Sequence, residues 1–125
     1  MKIAILLPFK DTYTKNKAGS ASIWVKDFIK KSKYKKKILI YGHIKNLNKD
    51  ELIDKKNYIN INYNFDYFFG SKNKKYVEIF NKLVRNQNVD LVELHNRPNY
   101  INFLDKELKK ILVFHNDPLT LKGSE

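Results

Sequence analysis

Two stretches carry the same pattern: Asp90-Leu91-Val92-Glu93-Leu94-His95-Asn96-Arg97-Pro98, and then Ile111-Leu112-Val113-Phe114-His115-Asn116-Asp117-Pro118. In each, an apolar run ends in a loop that opens His-Asn and closes on Pro. Each run is short, aliphatic or β-branched, and bounded by a turn signal, which predicts a strand buried on both faces. Between them, Pro98 to Lys109 sets Tyr100, Ile101, Leu104 and Leu108 at helical spacing, with Pro98 at a first-turn position that needs no N–H. Strand, helix and strand joined by a right-handed crossover make the two strands parallel. Both His-Asn loops then leave the sheet at its carboxyl edge, where open α/β sheets hold their ligands. His95 and His115 are therefore expected on one rim.

Upstream of this stretch the same alternation continues. Ile3-Ala4-Ile5-Leu6-Leu7 has no polar interruption, as a central parallel strand requires, and Pro8 ends it. A polar loop runs to Lys17-Ala18-Gly19-Ser20. Helical spacing follows, with Ala21, Trp24, Val25, Phe28 and Ile29 on one face. Small residues where a loop feeds a helix let a ligand approach the backbone amides, and the helix dipole favours an anion such as phosphate. Gly19 or Ser20 could equally just cap the helix.

Lys37 to Tyr41 reads as the second strand, followed by Gly42-His43, with His43 expected as a solvated loop residue. Asn48 and Glu51 stand at capping-box spacing for a short helix over 48–56. Residues 58–65 alternate, with Ile59, Ile61, Tyr63 and Phe65 on one face and asparagines on the other, as in a strand with one wet face. The aromatic loop Asp66 to Ser71 is expected to cover the core rather than to contact a ligand. Lys74 to Asn88 predicts a second long helix, buried through Tyr76, Val77, Ile79, Phe80, Leu83 and Val84. Alternation of this kind predicts one α/β domain over residues 1–125, a Rossmann-like parallel sheet in the order 3-2-1-4-5 with helices on both faces.

Composition narrows the function. With no cysteine among 125 residues, thiolate chemistry and disulfides are excluded. The longest apolar run, Ile3 to Phe9, is far short of the roughly 20 residues that span a bilayer, so a cytoplasmic domain is expected. The net charge of +12, with clusters such as Lys30-Lys31, Lys33 and Lys35-Lys36-Lys37, attracts phosphate or anionic lipid. Only Arg85 and Arg97 among the 25 cations are arginine, however, and arginine is the usual base reader. The lysines accompany 15 asparagines and many isoleucines and tyrosines, all with AT-rich codons, so codon bias explains them without nucleic-acid binding. A metal held by His95 and His115 would lack a third ligand at recognisable spacing, since Glu93 and Asp117 are ambiguous, and no metal is expected. Asp117 could orient the His115 ring, bind a hydroxyl, or cap a helix starting at Pro118.

The first strand with its loop Ala18-Gly19-Ser20-Ala21-Ser22, the segment Asp90 to Asn96, and Val113-Phe114-His115-Asn116-Asp117-Pro118 together resemble the amino-terminal domain of GT-B glycosyltransferases of the retaining family 4 type. The resemblance spans nearly the whole chain. It implies two facing Rossmann-like domains with the active site between them, this one on the acceptor side. The carboxyl-terminal donor domain, with its phosphate-binding basic residues and glutamate motif, would then lie outside these residues or in a separate chain.

Residue by residue, Gly19 and Ser20 match the glycine loop that lies against the donor phosphate, although one glycine stands here where many relatives have two. His115, with Asn116 and Asp117, matches the segment that reaches the transferred sugar. His95, with Asn96 and Arg97, matches the acceptor side. The implied reaction moves a sugar from a nucleotide sugar, a substrate rather than a cofactor, to a cell-envelope saccharide or lipid-linked acceptor. It would take place in the cytoplasm with peripheral contact to anionic membrane, and the isolated domain is expected to be inactive. The alternative is a non-catalytic Rossmann-like module that binds a nucleotide, a sugar or a partner chain.

Overall fold

The computed structural model describes residues 1–33 and 37–115. Asn116, Asp117 and Pro118, and Lys35 and Lys36 of the lysine cluster, lie outside the described residues. Five strands, β1 (Ile3–Leu6), β2 (Ile38–Gly42), β3 (Tyr58–Asn60), β4 (Leu91–His95) and β5 (Lys110–Val113), form one sheet. Every pairing is parallel and the order is β3-β2-β1-β4-β5. This is the doubly wound α/β arrangement that the sequence predicts.

Two α-helices, α1 (Ser20–Lys31) and α2 (Lys72–Val84), cover opposite faces. The alternation of side chains along β1 decides which face each helix meets. Ile3, Ile5 and Leu7 point to the side of Ala21, Val25 and Ile29, which recur every fourth residue along α1. Ala4 and Leu6 point to the side of Tyr76, Val77, Phe80 and Val84 of α2. Full burial of each large aliphatic side chain contributes about 1.5–3 kcal/mol, so the central strand, buried on both faces, anchors both layers. The Tyr76 hydroxyl is buried as well, and donates 2.7 Å to the Leu7 carbonyl where β1 ends.

The connections depart from the expected elements in three places. Between β4 and β5 there is no α-helix: a 3₁₀ turn, Pro98–Asn102, is followed by loop. The buried Asn81 of α2 bonds the Phe103 carbonyl at 2.9 Å and accepts from the Asp105 amide at 3.2 Å. Those backbone groups are thereby drawn out of a helical ladder that Asn99, Asn102 and Asp105 would support poorly in any case. The expected helix over 48–56 is a 3₁₀ turn, Lys49–Glu51, with Asn48 accepting from the Asp50 amide. The alternating segment 58–65 pairs only through Asn60. There the Asn60 side chain takes the Ile44 amide at 2.8 Å, and a 3₁₀ turn begins at Phe65.

The aromatic loop does not cover the core. Phe69 is 99% exposed and Tyr67 79%, and the ring that enters the core is the earlier Phe65. His43 is likewise not a solvated loop residue. It is half-buried, bonds the Ile61 carbonyl at 2.8 Å through Nδ1, and packs against Phe9 and Phe65. No described helix is long and apolar enough to cross a membrane.

Candidate functional site

Parallel pairing of β4 with β5, Val92 against Lys110 through His95 against Val113, brings the two His-Asn loops side by side at the carboxyl edge. Along β4, period two sets Leu91, Glu93 and His95 on the α1 face, and Val92 and Leu94 on the α2 face. His115, two residues past Val113, lies over His95: the rings stack with centroids 5.0 Å apart, and His95 Nδ1 is 2.7 Å from His115 Nε2. Deeper on the same face, Glu93 Oε1 is 3.2 Å from His95 Nε2. That contact is within ion-pair reach but poorly aligned, leaving Nε2 without a hydrogen-bond partner among the described residues.

Glu93 and His95 are 7% and 1% exposed, and His115 is half-buried. Trp24 of α1 closes over both imidazoles, 5.1 Å from the His95 ring and 5.8 Å from the His115 ring. Burial, and next the neighbouring His95, push the His115 pKa below its ordinary value, while Asp11 and Glu93 pull the other way. His115 is thus held toward the neutral imidazole.

Asn96 ties this pair to the rest of the edge. Its backbone is left-handed, with φ of 55°, a conformation that asparagine tolerates better than most residues. Its amide donates to the Val113 carbonyl at 2.9 Å, and its side-chain oxygen accepts from the His115 amide at 2.7 Å. Its side-chain nitrogen lies 3.4 Å from the Ser20 hydroxyl at the start of α1. Arg97 folds back on the Asn96 carbonyl at 2.7 Å.

The start of α1 is occupied by a carboxylate from its own chain. Asp11, in the loop after β1, accepts from the amides of Gly19 at 3.0 Å, Ala21 at 3.0 Å and Ser22 at 3.4 Å, and from the Ser22 hydroxyl at 2.6 Å. Gly19 stands at the N-cap without a side-chain cap of its own. The amides and dipole that the sequence assigns to a phosphate, or to a local cap by Ser20, are therefore engaged by Asp11, with Ser20 turned toward Asn96. His95 and Asn96, placed by the resemblance on the acceptor side, are both buried, His95 against the Trp24 and His115 rings and Asn96 between the His115 amide and Ser20.

Asp11, Trp24 and Glu93 are the members of this cluster whose roles the sequence does not declare. For Glu93 a signal was present, since residues i and i+2 of a strand share a face. Asp11 carried none, because its partners lie eight to eleven residues away through an irregular loop.

A groove of about 720 Å³ lies elsewhere: Tyr13, Lys15, Ile23, Lys26 and Ile53 line it, and none of the described candidate residues does. At the edge itself, a polar hollow of about 310 Å³ includes Thr12, Thr14, Asn16, Lys17 and Lys45. No group of three or more His, Asp or Glu among the described residues is arranged to hold a metal ion. Comparison with family models, curated proteins and solved structures finds no match to this chain.

Proposed function

We propose that this domain is the amino-terminal half of a GT-B glycosyltransferase of the retaining family 4 type. In this reading it lines one wall of a site for a nucleotide sugar and a saccharide or lipid-linked acceptor. The observation that carries the reading is the meeting of three elements at one point of the carboxyl edge. The end of β5 (His115), the loop after β4 (Asn96) and the first residue of α1 (Ser20) are joined by hydrogen bonds there. Open α/β sheets bind ligands at that edge, and a neutral imidazole beside it suits a sugar hydroxyl. Stabilising the charge that builds on a departing nucleotide falls to cations and amides of a facing domain, in the same chain or another.

Asp11 favours a second reading, a sugar- or partner-binding module without transfer. A carboxylate already satisfies the α1 amides and repels a phosphate brought to them. Titration of nucleotide sugars into the labelled domain, followed by NMR, separates the two. The transferase half predicts shifts at His115, Asn96 and Ser20 with a Kd no tighter than about millimolar, because one or two hydrogen bonds contribute only about 0.5–1.5 kcal/mol each. His115→Ala should abolish those shifts. Free monosaccharides binding as well as nucleotide sugars would favour the module.

A further inference from the structure

We infer that Glu93 and His95 are positioning residues that decide which nitrogen of His115 carries its proton. The sequence of contacts is linear: Glu93 Oε1 to His95 Nε2 at 3.2 Å, then His95 Nδ1 to His115 Nε2 at 2.7 Å. An ionised carboxylate only accepts, so an imidazole nitrogen facing it is favoured when it bears hydrogen and disfavoured when it presents a lone pair. His95 therefore carries its proton on Nε2, and a neutral His95 has a bare Nδ1. At 2.7 Å that lone pair needs a donor, and His115 Nε2–H is the one in place. The proton of His115 is then spoken for, and its Nδ1 holds the lone pair.

The opposite tautomer would leave His95 Nε2 bare and buried 3.2 Å from a carboxylate, with both lone pairs unanswered in a site that Trp24 shields from water. Burial of His115 beside a second imidazole also disfavours the doubly protonated ring. A histidine locked in this way is an acceptor at Nδ1. It recognises a hydroxyl and has no hydrogen there for a phosphate oxygen. This consequence rests on the proposed function, and it supplies a physical reason for the place beside the sugar that the resemblance implies for His115.

Long-range ¹H–¹⁵N correlation of the histidine rings at pH 8 tests the lock without any ligand. His95 and His115 are expected as Nε2–H tautomers. Glu93→Gln offers an amide that donates as well as accepts, and should shift both histidines together toward Nδ1–H. Glu93→Asp, which keeps a carboxylate, should restore Nε2–H. Finding His95 as the Nδ1–H tautomer in the unmodified protein overturns the inference even if no variant folds. So does a natively folded Glu93→Gln protein in which His115 does not move. If the tautomers stand as described but no nucleotide sugar perturbs His115, the lock holds and the transferase reading fails.

Discussion

Asp11 leaves no room for a side chain at Gly19: a Cβ built there would lie 2.7 Å from the carboxylate carbon and 2.7 and 2.8 Å from its two oxygens. The backbone of Gly19, at φ of −81°, is open to any residue, so contact and not conformation excludes larger ones. Gly19→Ala should displace the carboxylate and lose the cap, at a cost of about 0.5–2 kcal/mol. Asp11→Ala should cost a similar amount. Because both remove one interaction, the double variant should be little worse than either single one, a non-additivity that urea denaturation measures directly. Additive losses would show that Gly19 is constrained by something other than Asp11.

The depressed pKa of His115 gives stability a defined pH dependence. Its pKa lies below the ordinary 6.5, with burial the main cause and the adjoining His95 next, offset by Asp11 and Glu93. Between the folded and unfolded pKa values the unfolded chain binds more protons, so stability rises with pH in that window. The contribution is complete above about 6.5 and is lost as pH falls through the folded value. Denaturation midpoints at pH 8 and pH 5.5 should therefore differ more for the native chain than for His115→Gln. Equal slopes in the two proteins would place the titrating group elsewhere.

Asn81 replaces what a crossover helix would otherwise supply. It holds the Phe103 carbonyl and the Asp105 amide from the side of α2, so Asn81→Ala strands two backbone groups near the core. Leaving such a group unsatisfied costs about 1–3 kcal/mol, and a loss in that range should appear in chemical denaturation. Hydrogen exchange should accelerate first between Pro98 and Leu108. A uniform change across the sheet instead would mean that Asn81 acts through core packing.

The strand order was legible because uninterrupted aliphatic runs such as Ile3–Leu7 and Ile38–Ile40 alternate with amphipathic stretches, and only a parallel sheet wrapped by helices buries both. The 98–109 segment was misread because Tyr100 and Leu104 are buried at helical spacing although their backbone is a 3₁₀ turn and loop. Hydrophobic spacing reports which side chains go inward, while a distant Asn81 decides where the backbone hydrogen bonds go. The aromatic loop failed for a related reason. Hydrophobicity does not say which of Phe65, Tyr67, Phe68 and Phe69 turns inward, and here Phe65 does. At the site, the meeting of His95 and His115 follows from topology, whereas the Asp11 contact with α1 depends on loop geometry that no periodicity encodes.

Exposure of the aromatic loop gives a prediction that costs little to check. Phe69 is 99% exposed, so Phe69→Ser should alter folding stability by no more than about 0.5 kcal/mol, in the range of ordinary surface changes. Phe65→Ser, four residues earlier in the 3₁₀ turn, removes a ring buried against Phe9, Tyr63 and Tyr76, and should cost several times as much. Comparable losses for the two would show that Phe69 packs inward after all.

Asn96 separates backbone strain from site geometry in one position. Its left-handed φ of 55° is cheap for asparagine and glycine but disfavoured by about 1–2 kcal/mol for other residues. Its side chain also holds the His115 amide at 2.7 Å and reaches Ser20. Asn96→Gly keeps the backbone and loses both contacts; Asn96→Ala loses the contacts and strains the backbone. The alanine variant should therefore be the less stable by about 1 kcal/mol, despite the greater chain entropy that glycine gives up on folding. If Asn96 serves the site by holding the end of β5 against the start of α1, both variants should weaken nucleotide-sugar shifts at His115 to the same degree. Binding that tracked stability rather than loss of the side chain would make Asn96 a folding residue only. Binding unchanged in Asn96→Gly would show that His115 keeps its place without that anchor.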